Sequence, residues 1–143
     1  MLSRQRVWCS ILLTVACSGA SGCTSLPETT RTASVHDIQI TEQLSSDTLV
    51  ARPGDEIRWV NLRKDQARVD IPNLSSDNLS CERGFSNWMG SLRETAELNP
   101  NETVSLCFKR PANIEYNVRA ATALGGGRHI LPGTLRIDNS TRR

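Results

Sequence analysis

Val50-Ala51-Arg52-Pro53-Gly54-Asp55-Glu56-Ile57-Arg58-Trp59-Val60-Asn61 carries two strands and the turn between them. Pro53-Gly54-Asp55 is turn chemistry: proline presets φ, glycine accepts φ > 0, and an aspartate side chain can bond its own backbone. The residues before it, Asp47 to Arg52, form one candidate strand. Those after it, Glu56 to Leu62, set Ile57 and Trp59 against Arg58 and Val60, the period-two pattern of a half-buried strand.

The same signals recur on both sides at intervals of roughly ten residues, as in an all-β sandwich or barrel. Asp37 to Thr41 puts Ile38 and Ile40 on one face, and Ala67 to Ile71 is a short strand stopped by Pro72. Ser91 to Leu98 and Thr103 to Arg110 flank Asn99-Pro100-Asn101-Glu102, which reads as a hairpin connection. Ile114 to Ala120 and Thr134 to Asp138 complete the set. No stretch after residue 35 has a helical stripe. Two long connections interrupt the rhythm. Residues 73–90 hold Cys81, Phe85, Trp88 and Met89 and leave room for one short helix, and residues 121–132 hold Gly125-Gly126-Gly127 and His129. Trp88 and Met89 are expected to plug an end of the sandwich, with a binding surface as the other reading.

The N-terminus is of a different kind. Met1 to Arg6 has two arginines and no acid, Val7 to Ala16 is mostly apolar, and Ser18-Gly19-Ala20-Ser21-Gly22 precedes Cys23. A charged start, a short apolar run and small residues describe a secretory signal, and the run is too short to span a bilayer. With Cys23 directly after Ala20-Ser21-Gly22, it resembles a bacterial lipoprotein signal. The resemblance implies acylation of Cys23, which becomes the mature N-terminus and anchors the chain in a membrane. An ordinary signal with Cys23 incidental is the plainer alternative. Thr24 stands where an aspartate would resemble an inner-membrane retention signal, so by analogy the outer membrane, facing the periplasm, is favoured. Expected boundaries are 1–22 signal peptide, 23–34 tether rich in Thr, Ser and Pro, 35–138 sandwich and 139–143 tail.

Loss of residues 1–22 removes Arg4 and Arg6, so 17 basic residues fall to 15 against 15 acidic, a net charge of zero. That balance offers no field for nucleic acid. Cys81 and Cys107 remain, and in an exported domain they are expected to form a disulfide. Val104, Leu106 and Phe108 share one face, so Cys107 points to the other, where a loop carrying Cys81 would lie across the sheet. A redox or metal pair is the alternative, without a CxxC spacing to support it.

The order of the pieces resembles the cupredoxin family, the small Greek-key sandwiches of blue copper proteins. Residues 50–61 look like its "V.PGD.V.WVN" segment, and Ile114-Glu115-Tyr116-Asn117-Val118 like the strand entering its ligand loop. Leu131-Pro132-Gly133-Thr134-Leu135-Arg136-Ile137 looks like its last strand. The resemblance implies an all-β Greek-key sandwich of cupredoxin type with about seven or eight strands. It also implies where copper ligands would stand: Arg68 and Ala121 for the imidazoles, Val118 for the thiolate and Leu131 for the axial thioether. None of these four side chains can serve a blue copper site.

The expected function is therefore a membrane-anchored, copper-free binding or structural module of the cell envelope. It would meet another envelope protein through the 73–90 and 121–132 loops, with no cofactor and no catalysis. Copper enters only under an alternative, a carrier or electron-transfer protein with an unconventional site. His129 is its one metal candidate, helped by His36, Met89 or a partner, though a surface or packing role is the plainer reading. A sandwich binding a small apolar molecule near Trp88 is the third reading. No Ser-His-Asp order, paired carboxylates or phosphate-cradling glycine loop supports an enzyme.

Overall fold

A computed structural model describes residues 32–121 and 127–139. Its strands are β1 (Val35–Ile40), β2 (Thr48–Ala51), β3 (Glu56–Asn61), β4 (Ala67–Asp70), β5 (Leu79–Arg83), β6 (Thr95–Leu98), β7 (Thr103–Phe108), β8 (Ala112–Ala121) and β9 (Arg128–Ile137). They form a four-stranded sheet, β1-β3-β7-β5, and a five-stranded sheet, β2-β9-β8-β4-β6. From β1 to β8 every strand lies in the sheet opposite its predecessor, and β8–β9 alone joins chain neighbours within one sheet. This is the all-β, two-sheet sandwich expected, with nine strands among the described residues in place of seven or eight.

Alternation dictates which side chains meet between the sheets. Ile38 and Ile40 of β1, Ile57 and Trp59 of β3, and Val104, Leu106 and Phe108 of β7 are buried. From the other sheet Ala67, Val69, Tyr116, Val118, Leu131, Leu135 and Ile137 face them. Trp59 is the centre of this core. Its ring meets Phe85 edge-on at 5.9 Å and Tyr116 edge-on at 5.4 Å between centroids, the arrangement aromatic quadrupoles favour. Tyr116 lies directly opposite Gly133 in the β8–β9 register. A Cβ on Gly133 would fall 2.1 Å from the ring's Cζ, so the glycine makes room for the ring. Gly54, in the turn before β3, has φ of +89°, the conformation the Pro53-Gly54-Asp55 signal requires.

Three local expectations are corrected. Leu79–Arg83, expected as loop, is a strand paired with β7 after an irregularity between Leu79 and Cys81. Polar neighbours and a five-residue length hid it. The single 3-10 turn, Ser76–Asn78, is the short helix of this segment. Asn99–Glu102 does not close a hairpin. The Glu102 amide bonds the Asn99 carbonyl at 3.0 Å, but β6 and β7 belong to opposite sheets because Leu98 and Val104 enter the core from opposite sides. Finally, β9 begins at Arg128, so the described residues from 128 to 132 are strand, paired with β8. Pro132 is tolerated there because β2 reaches only Thr134, so among the described residues β9 is flanked at Pro132 by β8 alone.

The tether boundary also differs from the expectation. Thr32 donates its amide to the Gly54 carbonyl at 2.9 Å, and the Ser34 carbonyl accepts from Glu56 at 2.9 Å. Residues 32–34 are therefore bound to the sandwich.

Candidate functional site

The sandwich has two ends. One gathers Ala51, Asp55, Phe108 and Ile137, and is called here the lower pole. At the upper pole lie the end of β3, the start of β4 and the β8–β9 tip.

The upper pole holds the positions that the resemblance assigns to copper ligands. Val118 and Leu131 are direct partners across β8 and β9, both buried, so carbon meets carbon where a thiolate and a thioether would stand. Arg68 does not join them. It is paired with Arg119 and alternates with buried Ala67 and Val69, which puts it on the outer face of its sheet. There its Nε lies 2.5 Å from Asp70 Oδ1, while Arg119 Nε lies 2.6 Å from Asp70 Oδ2.

Ala121, the remaining position, is committed through its backbone. Arg63 Nη2 donates to the Ala121 carbonyl at 2.5 Å and Nη1 to the Thr41 carbonyl at 2.9 Å, with Glu42 Oε1 2.9 Å from Nη1. Arg63 is only 8% exposed. A guanidinium never deprotonates in a protein, so a fixed positive charge is lodged at this pole, binding the end of β8 to the segment after β1. Asn61 positions the loop that delivers it. Its side-chain amide donates to the carbonyls of Asp65 and Leu98 at 2.9 and 3.0 Å, and its Oδ1 accepts the Arg63 amide at 3.0 Å. The residues present do not fit copper: the four expected positions supply no donor side chain to a common point, and a permanent cation sits beside them.

Arg63 was the residue hidden from sequence reading. In Leu62-Arg63-Lys64-Asp65 it looks like any charged loop residue, and only the chain's return from β8 gives it acceptors.

His129 is exposed, not in a loop but on β9 opposite Ala120. His36 lies at the other pole, its Nε2 2.9 Å from Asp55 Oδ2. Met89 is exposed on the turn closed by the Ser86–Leu92 bridge. These three do not converge, and among the described residues no three His, Cys, Asp or Glu side chains form a metal-holding group.

At the lower pole Asp55, 4% exposed, accepts from the Thr32 hydroxyl, the Arg52 amide at 2.9 Å and His36. Burial pushes its carboxyl up, but the hydrogen bonds from Thr32, Arg52 and His36 outweigh it and hold the group below its ordinary value. An open groove of about 750 Å³ runs past His36, Asp55, Arg52 and Arg136. The Thr32 hydroxyl donates to the carboxylate and not to the imidazole, so the three side chains are not ordered as a hydroxyl–imidazole–carboxylate triad.

Cys81 and Cys107 are joined, with Cα atoms 4.9 Å apart. Cys107 does face away from Val104, Leu106 and Phe108, as expected, but Cys81 reaches it from the adjacent strand β5 instead of from a loop lying across the sheet. Cys23 lies outside the described residues.

Trp88 and Met89 plug nothing. They are 92% and 66% exposed on a turn between Ser86 and Leu92. Phe85, buried against Trp59, has taken the plugging role three residues earlier.

No family model matches the chain, and no curated protein does. Among solved structures, the chain is similar to a reduced tryptophan-to-tyrosine mutant of amicyanin at 12% identity, covering 74% of this chain and 84% of that one, with a TM-score of 0.47. It is also similar to amicyanin from Paracoccus versutus at 10% identity, covering 75% and 83%, with a TM-score of 0.45. These likenesses concern strand layout alone and bring no property of amicyanin to this chain.

Proposed function

We propose that this chain is a copper-free, cupredoxin-like binding module, held at the bacterial cell envelope by lipid on Cys23 and acting without catalysis through another envelope protein. The observation that carries this reading is Arg63, whose buried guanidinium occupies the backbone acceptors of the pole where a blue copper centre would be built. The segment from Met1 to Cys23 supports the anchor, and Thr24 supports the outer membrane, facing the periplasm. The neutral mature chain supports a protein partner over nucleic acid.

The contact face best supported lies on the outer side of the upper pole. Ile130 is 52% exposed there, directly opposite Arg119, and Glu97, Arg68 and Arg119 form a row across three strands. An exposed apolar side chain beside a charged row is the mixture of which protein interfaces are composed. A copper carrier has less support, because His36, Met89 and His129 lie apart. A small-ligand site at Trp88 also has less, because the grooves of about 750 and 790 Å³ are lined by other residues.

Calorimetric titration with Cu(II) and Zn(II) tests the metal-free reading: no stoichiometric binding tighter than micromolar is expected, and such binding overturns it. Incorporation of labelled palmitate, abolished by Cys23→Ser, tests the anchor. A photo-crosslinker at Ile130 should give one discrete envelope-protein adduct that Arg119→Glu suppresses, and adducts indifferent to Arg119 would remove this face as the contact.

A further inference from the structure

The turn carrying Trp88 is built to hold an indole in solvent. The Asn87 side chain accepts the amides of Met89 and Ser91 at 3.0 and 2.8 Å. The Asn87 carbonyl accepts the Gly90 amide, and the Asn87 amide reaches the Ser91 carbonyl, both at 2.9 Å. Below the tip, Ser86 bridges Leu92, and the Arg93 amide donates to the Phe85 carbonyl at 2.6 Å. Phe85 is buried in the core and Leu92 packs against it. Two residues before this buried Phe85, β5 ends at Arg83, and that strand is fastened to β7 by the Cys81–Cys107 bond. Trp88 and Met89 therefore project from a braced base.

We propose that Trp88 and Met89 insert into the interface of the bilayer to which the chain is anchored, seating the domain against the membrane. The inference rests on the Cys23 anchor of the proposed function. Size selects this occupant. Two side chains present at most a few hundred Å², whereas a stable protein partner needs about 800 Å² from each side. A tethered domain needs no such area, because its anchor already supplies a high effective concentration of lipid. Trp is also the side chain most suited to the headgroup level, with an apolar body and one N–H donor.

Reach permits the contact. Cys23 and the first described residue, Thr32, are separated by eight residues that span at most about 30 Å. Thr32 is fixed beside Gly54, next to β1, and β1 and β5 are the two edges of one four-stranded sheet, about 14 Å apart at about 4.8 Å per strand. The register sets Arg83 level with Asp37, about 15 Å along the strands from Thr32 at about 3.3 Å per residue, so the turn after it stays within the tether's length. Charge is not the driving term. Arg83 and Arg93 flank the turn, but Glu82 and Glu94 adjoin them in the chain. The seating is therefore independent of anionic lipid and of salt.

The test uses the acylated mature chain, residues 23–143, in which only buried Trp59 and exposed Trp88 emit. It is reconstituted into phosphatidylcholine vesicles brominated on the acyl chains, with and without phosphatidylglycerol. Bromine should quench Trp88 emission several-fold and equally in both lipids, leaving a Trp59 component that Trp88→Ala alone retains, while flotation is the same for both proteins. A chain that floats with the vesicles but keeps Trp88 unquenched and open to iodide overturns the seating and spares the anchor. A chain that fails to float overturns both. Shielding of Trp88 that needs an added envelope protein, or a higher concentration of the chain itself, with bromine silent, assigns the turn to that partner and overturns the proposal.

Discussion

Arg63 and Asp55 show how one side chain can decide each pole. Replacing Arg63 by Met removes two hydrogen bonds to backbone carbonyls and leaves the Thr41 and Ala121 oxygens short of donors. A hydrogen bond from a charged donor contributes about 1.5–3 kcal/mol, and a domain of this size loses about 4–8 °C of Tm per kcal/mol. Thermal unfolding followed by circular dichroism should show that fall. Arg63→Lys should recover only a small part of it, because an ammonium cannot span both carbonyls as the planar fork does. Asp55 makes a prediction in pH. Its folded carboxyl is held below its ordinary value by the Thr32, Arg52 and His36 donors acting against burial. The resulting stability is complete above the unfolded value of about 3.9 and is lost as pH falls through the lowered folded value. Asp55→Asn should unfold more readily at neutral pH, by about 1–3 kcal/mol. It should also lack this part of the acid-dependent fall, and a denaturation series that slopes alike for both proteins would assign the fall to other groups.

At the scale of elements, the β8–β9 pair is the longest ladder, ten residues on each side, and its weak point is visible. Gly133 lies beneath Tyr116, where an added methyl would overlap the ring. The displaced ring would disturb its edge contact with Trp59 at 5.4 Å. Gly133→Ala should destabilise by about 1–3 kcal/mol, the usual cost of overpacking, and should shift Trp59 emission. A second change, Tyr116→Phe, should not relieve it, because the ring's Cζ at 2.1 Å is as close an obstacle as its hydroxyl at 2.4 Å. The same ladder explains what the sequence allowed to be read. Strands with clean alternation, such as Ile57 and Trp59 or Val104 and Leu106, could be placed to within a residue or two. The first half of β9 could not, since glycines and Pro132 speak for a loop unless one knows that β2 stops short of it. Nor could β5, whose Leu79-Ser80-Cys81-Glu82-Arg83 has too few apolar residues to outweigh its polar surroundings.

For the whole molecule, the sandwich and its disulfide were legible, because pattern and cysteine count depend on chain-local chemistry. The upper pole was legible only as a set of missing ligands. What stands there instead, a buried guanidinium, depends on acceptors from residues 41 and 121, and no local rule joins positions so far apart. Trp88 stands outside for a similar reason: from that segment Phe85 fills the place beside Trp59 in the core. Strand alternation between sheets also predicts the folding rate. Nearly every pairing joins distant parts of the chain, so refolding should be slow, on the order of milliseconds to seconds. Stopped-flow mixing with the disulfide intact checks this, and a microsecond phase carrying the full amplitude would contradict it.

The place of the Cys81–Cys107 bond has a consequence for biogenesis. β5 is the outermost strand of its sheet, five residues long, and the bond is its covalent hold on β7. Without that bond the chain loses the closure of a 26-residue separation, worth roughly 3–4 kcal/mol by chain entropy, and β5 is free to peel away. The uncovered rim of β7 would then offer open amides and carbonyls to any other extended chain, the template from which amyloid-like pairing starts. Cytosolic thiols are kept reduced, so a copy that folded under reducing conditions would face this hazard. The reduced protein should accordingly raise thioflavin fluorescence at concentrations where the oxidised protein stays clear.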